Sequence, residues 1–317
     1  RRRRCRGPGA PASLLGRLRE VAMVTPVPVE TASPLLKWPG GKRKLVARIL
    51  AAFPPSAAEA PLHEPFVGSA SIALAARTRH GLLTDINERL VNFHNVVRDE
   101  PEALILALRD LPAGPDWRDH YGSIRAQFNG IAFPRLSLQA AWFLWLNKAC
   151  FNGVYRENAK GDFNVPPGSY AALAFPAEDH VRTVSKILQN YQIAALDWRK
   201  AIPLAQPGSR LYVDPPYDPI SSTAAFTTYS LRRFGWDDQT ELAYACAKAA
   251  LRDVHVVASN HGTDRVRRLW TGLGFTCRNV EGVKRSISCK GAGRGTTVPE
   301  ALFTSWDGAP EAPLETL

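Results

Sequence analysis

No two of the five cysteines (Cys5, Cys150, Cys246, Cys277 and Cys289) form a CxxC pair. Scattered cysteines argue against a zinc site or a disulfide framework, and they point to a reducing, cytoplasmic setting with no bound metal. Long apolar runs are missing too. None nears the ~20 residues that a membrane span needs, so a soluble globular chain without a membrane partner is expected. No GxxxxGK[ST] occurs, which excludes a P-loop, and no complete GxGxxG occurs, which disfavours NAD. No internal repeat is visible. Methionine is almost absent: Met23 is the only one, in a chain that begins at Arg1. Residues 1–34, rich in Arg, Pro, Ala and Val without a structural period, read as a disordered or non-native extension, with 1–22 as a misread start. A basic arm or a transit-like segment is the other reading. Residues 307–317 read as a disordered tail.

What is present suffices for a sizeable core. A chain of 317 residues, 45% of them hydrophobic, can form one large domain or two modest ones. The formal charge of +11 is unevenly spread, since residues 1–22 hold seven arginines against one glutamate. The mildly basic remainder suits a polyanionic partner without requiring one.

The segment richest in chemistry is Asp214-Pro215-Pro216-Tyr217, which follows the buried-strand pattern Leu211-Tyr212-Val213. A strand ending this way delivers a carboxylate, a rigid turn and an aromatic face to the carboxyl edge of a sheet, where open α/β folds bind ligands. The prolines fix φ and hold neighbouring carbonyls in one direction. A carboxylate and a fixed carbonyl can accept both hydrogens of an exocyclic amine while Tyr217 stacks on the ring carrying it. That suits modification of a nucleobase amine. Taken alone, the four residues equally allow a strand followed by a proline turn with a solvated Asp214. No cysteine follows a proline, as it does in the cytosine-C5 methylating enzymes, so catalysis through sulfur is not expected.

Glu64-Pro65-Phe66-Val67-Gly68-Ser69-Ala70-Ser71 offers a glycine turn before free helix N–H groups. About 20 residues on, Asp85 ends the next strand, where a carboxylate can bind both hydroxyls of a ribose. Lys37-Trp38-Pro39-Gly40-Gly41-Lys42 combines a ring that can cover a flat or onium group with glycines and cations. Phe151-Asn152-Gly153-Val154-Tyr155-Arg156, continuing through Lys160 to Pro166, reads as a hairpin whose Arg, Asn and aromatic side chains suit a DNA major groove; a solvated hairpin is not excluded. Ser259-Asn260-His261 caps a strand, and Lys284-Arg285-Ser286 suits phosphate contact.

The pattern predicts strands over 62–67, 81–84, 192–196, 211–213 and 254–258, then closing antiparallel strands over 275–280 and 301–305. It predicts helices over 71–79, 87–97, 103–109, 117–128, 136–150 and 238–252.

In order, KWPGGK, EPFVGSAS, TDIN, NKACFNGVYRENAKGDFNVP, VDPPYDPISSTAAFTTY, ASNH and KRSIS resemble the DNA adenine-N6 methylase family, the D12 class of α-type amino methyltransferases. The resemblance runs from about Leu35 to Phe303. It implies an α/β fold: a Rossmann-like methyltransferase sheet with an antiparallel closing hairpin, plus an inserted helical target-recognition subdomain carrying a β-hairpin. Residues 35–87 and 177–306 would form the catalytic domain and 88–176 the inserted one.

It further implies S-adenosylmethionine as methyl donor, held by Trp38, Lys42, Asp85 and Asp214, with Asp197 suggested by its place at a strand end. Catalysis would fall to Asp214, Pro215 and Tyr217 without a metal. Double-stranded DNA would meet Lys37, Phe151, Asn152, Val154, Arg156 and Arg285. A monomer methylating the N6 amine of a flipped adenine in a short palindrome, GATC first, is the reading. Cytosine N4, RNA adenine or protein glutamine as substrate, or a non-catalytic DNA-binding regulator, are its alternatives. Two positions depart from the family pattern: Ala70 replaces a glycine, and Phe151 a tyrosine.

Overall fold

The computed structural model of the chain describes residues 31–130, 136–217, 234–280 and 300–306. Seven strands form one sheet: β1 (Leu62–Glu64), β2 (Gly81–Asp85), β3 (Tyr191–Ala195), β4 (Arg210–Val213), β5 (His255–His261), β6 (Thr276–Val280) and β7 (Glu300–Thr304). Their order is β3-β2-β1-β4-β5-β7-β6. Strands β1 to β5 run parallel, while β7 pairs antiparallel with both β5 and β6. This is the Rossmann-like methyltransferase arrangement with an antiparallel closing pair.

The topology creates one crevice. The chain builds outward from β1 through β2 to β3, then returns to lay β4 on the other side of β1. Loops leaving β1 and β4 therefore diverge, and a ligand can sit between them. The predicted glycine turn and the proline tetrapeptide are those two loops.

Nine helices occur among the described residues: α1 (Val46–Ala51), α2 (Glu88–Asp99), α3 (Pro101–Arg109), α4 (Trp117–Gly130), α5 (Leu136–Ala149), α6 (Glu178–Leu188), α7 (Trp198–Ala201), α8 (Trp236–Ala250) and α9 (Asp264–Gly272). Alternation along the strands sorts them into two layers. Tyr212, Val257 and Leu302 face a core filled by α1 to α6. Their neighbours Leu211, Val213, Val256, Ala258, Ala301 and Phe303 face a second core with α7 to α9. Helix α5 is buried nearly all round, from Ala140 to Asn147, as expected of a helix inside a layer. It is the hub on which Trp117, Tyr121 and Phe128 of α4 pack, continuous with the sheet's core.

Three expectations need correction. Residues 71–79 form successive turns rather than a helix. Remote groups take the backbone there: the Tyr191 hydroxyl donates to the Ala73 carbonyl at 2.8 Å, and the Ala32 N–H donates to the Leu74 carbonyl at 3.0 Å. Strand β1 stops at Glu64, since Pro65 has no N–H to continue a ladder. The expected hairpin begins with a 3-10 turn at Phe151–Gly153. It closes through two isolated antiparallel bridges, Cys150 with Pro167 and Glu157 with Phe163; prolines 166 and 167 cannot donate to a regular ladder.

Candidate active site

The end of β4 is a cluster of charge under a ring. Lys42 is buried, and its Nζ lies 2.8 Å from Asp214 Oδ2 and 3.4 Å from Glu300 Oε1, while donating to the Gly40 carbonyl at 2.7 Å. The same ammonium sits 4.9 Å from the centre of the Tyr217 ring. The Tyr217 hydroxyl donates to Glu300 at 2.7 Å, and His261 meets that ring edge-on at 4.8 Å. Asp214 keeps a further partner, since Ser259 donates to its Oδ1 at 3.0 Å. Ser259 is paired in turn with the buried Tyr212 hydroxyl at 2.7 Å. Because the Ser259 proton is committed to Asp214, Tyr212 is the donor of that pair. The turn itself is braced by Gln239, which donates to the Pro216 carbonyl at 2.7 Å and accepts from Asn260 at 2.9 Å.

Burial sets the electrostatics. It raises the Asp214 pKa, and Glu300 adds to the rise, while Lys42 and Ser259 oppose it. Burial followed by the two carboxylates pushes the Tyr217 phenol well above its usual value, so the phenol keeps its proton. Among the described residues, one buried ammonium between a half-buried carboxylate, Asp214, and a buried one, Glu300, leaves a formal −1 at the end of the strand.

A second group forms at the β1 and β2 ends. Gly68 takes φ +47, and a Cβ there would meet Trp38 Cδ1 at 2.9 Å, so only glycine lets the indole lie flat on the turn. Both backbone groups of Gly68 are held from afar. Its N–H donates to Asp85 Oδ2 at 3.3 Å, and its carbonyl lies 2.8 Å from His94 Nε2. Burial lowers His94 to a pKa of about 4, so it is neutral and donates through Nε2–H. Asp85 also accepts from the Asn87 N–H at 3.0 Å, and burial raises its pKa to about 6 against these bonds. Ala70 adopts φ 59, the conformation for which glycine is the ordinary choice. Its methyl is fully buried in the core. Asp197 adjoins this group through the backbone, as Leu196 N–H donates to the Asp85 carbonyl at 3.1 Å; its side chain caps α7, accepting from Arg199 N–H at 2.8 Å.

The third group ties the Phe151 loop to the Trp38 turn. Asn147, buried on α5, accepts from the Lys37 N–H at 2.9 Å and donates to the carbonyls of Lys37 at 2.7 Å and Gly153 at 3.2 Å. Gly153 has φ +67, and a Cβ on it would stand 2.5 Å from Lys37 Cβ. Trp38 stacks on Tyr155 with centroids 6.0 Å apart. Lys37, Phe151, Asn152 and Arg156 are exposed, and Val154 is half-buried. The Arg156 guanidinium bonds Asn164 across its own loop, Nε to Oδ1 at 2.7 Å.

Lys42, Asp214 and Tyr217 thus meet at one point, Trp38 and Asp85 meet at Gly68, and Lys37 meets the base of the loop. Arg285 lies outside the described residues, as do residues 1–30, 307–317 and the segment after Tyr217. Glu300, Ser259, Gln239, His94 and Asn147 were not expected from sequence. Each stands on a different element; Ser259 and Asn147 fell in segments already singled out without being given a role, while Glu300, Gln239 and His94 carry no spacing signal. Ile86, 57% exposed beside Asp85, is an apolar side chain that burial alone does not explain. Among the described residues no group of His, Cys, Asp and Glu could hold a metal ion, and no helix is long and apolar enough to cross a membrane.

Comparison with known proteins bears on the family of the chain. A family model described as D12 class N6 adenine-specific DNA methyltransferase matches residues 38–286. The chain is 40% identical over 273 residues to a DNA adenine methylase of Vibrio cholerae, covering 85% of this chain and 95% of that one. It is 33% identical to the type II methyltransferase M.MjaIII of Methanocaldococcus jannaschii, covering 86% and 99%. It is 35% identical to a DNA adenine methylase of Haemophilus influenzae, covering 80% and 87%.

Proposed function

This chain belongs to the D12 class of N6 adenine-specific DNA methyltransferases, and we propose from that premise that it methylates adenine in a short palindrome, GATC first, with S-adenosylmethionine as donor. The observation carrying the proposal is the meeting of Asp214, Tyr217 and Lys42 at the β4 end of the crevice. The residues fit the donor. A formal −1 suits a sulfonium cation, an indole pressed on a bare glycine backbone forms one wall, and Asp85 carries acceptors suited to ribose hydroxyls. Trp38, Lys42, Asp85 and Asp214 would hold it, with Asp197 beside Asp85, and Ile86 adds apolar surface for its purine. When bound, the donor supplies a methyl group on a positively charged sulfur for direct transfer to the adenine nitrogen.

The rest is the work of the chain. The adenine must leave the duplex stack, because its amine cannot be aligned within it. Tyr217 stacks on the extruded ring, and its fixed hydroxyl limits how far that ring can tilt. Asp214 and the Pro215 carbonyl accept hydrogen bonds from the two N6–H groups, which turns the nitrogen lone pair out of the ring plane; as the methyl group bonds to nitrogen, one of those protons leaves through Asp214 to water and the other stays on N6. Ser259 and Lys42 keep the Asp214 carboxylate in place, so alignment costs little at the moment of transfer.

Residues 88–176 act as the target-recognition part of a monomer on double-stranded DNA, in a cytoplasmic setting. Phe151, Asn152, Val154 and Arg156 face the DNA, with Lys37 close to the target base and Arg285 on phosphate. The observations favouring this are the exposure of Phe151 and Arg156 and the anchoring of their loop to the Trp38 turn by Asn147.

The test is methyl transfer to duplexes carrying GATC and each single-pair variant. Transfer to GATC with loss of at least tenfold on the guanine–cytosine variants is expected, and Arg156→Ala should relax discrimination at one guanine by about 1–3 kcal/mol. Equal activity on all variants rules out GATC, and no transfer to any adenine rules out the activity.

A further inference from the structure

Glu300 lies beyond the residues that the family model matches and belongs to β7, the antiparallel strand that closes the sheet. Its Cα is paired with His261 on one side and Val280 on the other. This register carries a carboxylate from the end of the chain to the tip of β4. Glu300 is only 6% exposed. Burying a carboxylate is costly unless its oxygens are committed, and this one is committed to two groups of the site. It accepts the Tyr217 O–H at 2.7 Å and lies 3.4 Å from Lys42 Nζ.

Those two contacts fix what the proline turn cannot. Pro215 and Pro216 constrain the backbone, yet Tyr217 retains rotation about χ1 and χ2. Lys42 over its face and His261 against its edge limit the ring, but neither fixes the far end. The hydroxyl bond does. Glu300 also competes with Asp214 for Lys42, which leaves Asp214 less fully neutralised than in a simple ion pair and gives the cluster its excess negative charge.

We infer that Glu300 is a positioning residue for methyl transfer: it holds Tyr217 at the hydroxyl and tunes Asp214 through their shared Lys42. The inference rests on the proposed roles of Asp214 and Tyr217. It is distinct from cofactor or base contact, because Glu300 acts only through side chains of the chain itself. Among the described residues, the titratable groups facing it from neighbouring elements are Lys42, Asp214, Tyr217, Tyr212 and His261.

The experiment measures kcat, KM for donor and DNA, and the pH profile of kcat/KM for the wild type, Glu300→Gln, Glu300→Ala, Tyr217→Phe and the Glu300→Ala/Tyr217→Phe pair. Glu300→Gln keeps the shape and an acceptor while removing the charge. It should fold, lose roughly tenfold in kcat with both KM values within about threefold, and shift the acid limb to lower pH, because a carboxylate that disfavours Asp214 ionisation is gone. Glu300→Ala should lose about 10- to 100-fold, the range of a hydrogen bond to a charged acceptor. Paired with Tyr217→Phe, it should lose no more than the larger single change, since both remove one bond. Wild-type kcat in Glu300→Gln, an unmoved acid limb, or multiplicative losses in the pair overturn the inference. Should Glu300→Ala fail to fold, Glu300→Gln and its pH profile decide alone. A wild-type chain inactive on adenine overturns the proposed function and this inference together, whereas an active wild type with an unaffected Glu300→Gln overturns the inference only.

Discussion

Replacing Lys42 with methionine removes the one cation that, among the described residues, lies between Asp214 and Glu300, while keeping a long unbranched side chain. The ammonium is 5% exposed and sits 2.8 Å and 3.4 Å from the two acids. At such separations each contact is worth about 4 kcal/mol or more before desolvation is subtracted. Deleting one partner of a buried ion pair costs about 3–5 kcal/mol, because the remaining charge is left uncompensated. Here two charges are left, facing each other. For a chain of this size such a loss lowers Tm by roughly 5–8 °C.

The sign with pH is specific. Without Lys42, which opposes the rise, the folded-state pKa of Asp214 climbs further above its unfolded value. The stability of the variant is therefore fullest at low pH and is lost as pH climbs through that raised value. The Tm deficit should be largest near pH 8 and shrink toward pH 5. Adding Glu300→Gln to Lys42→Met should return about half of it, since only one buried charge then lacks a partner. Thermal unfolding from pH 5 to 8 for the two variants and the wild type makes the check. A deficit below 2 °C at pH 8, a deficit that does not change with pH, or no rescue by Glu300→Gln would refute the account of the cluster.

Two further outcomes follow from the Gly68 turn. Gly68→Ala must place a methyl 2.9 Å from Trp38 Cδ1 at φ +47. It should cost about 1–2 kcal/mol for the left-handed backbone alone and, by displacing the indole, raise the Kd for S-adenosylmethionine at least tenfold; unchanged calorimetric affinity would exclude Trp38 as a wall of the donor site. Asp85, with its pKa raised to about 6, offers acceptors to both ribose hydroxyls when ionised and loses one of them on protonation, so donor affinity should weaken as pH falls below about 6. Asp85→Asn should flatten that dependence, and a wild-type Kd constant from pH 5 to 8 would contradict the role.

The amino-acid sequence by itself determined the parallel sheet, its closing strands and the loops that carry chemistry. Short continuous apolar runs bury β2, β4 and β5 on both faces, and glycine and proline stand where the chain must turn sharply. Asp214 and Asp85 were legible because each ends an apolar run, and such a carboxylate has one place to go in a parallel sheet. The turns over 71–79 were not legible. Their pattern is helical, but the Tyr191 hydroxyl and the Ala32 N–H, both distant in sequence, take the carbonyls of Ala73 and Leu74. Only the tertiary structure decided the shell around the site. Glu300, Ser259, Gln239, His94 and Asn147 stand on strands and helices brought together by sheet order and register, and a lone polar residue inside an apolar stretch carries no local sign of its partner. Strand order put Lys42 between Asp214 and Glu300, and burial then set their charges. Those are properties of distance through space, to which spacing along the chain is blind.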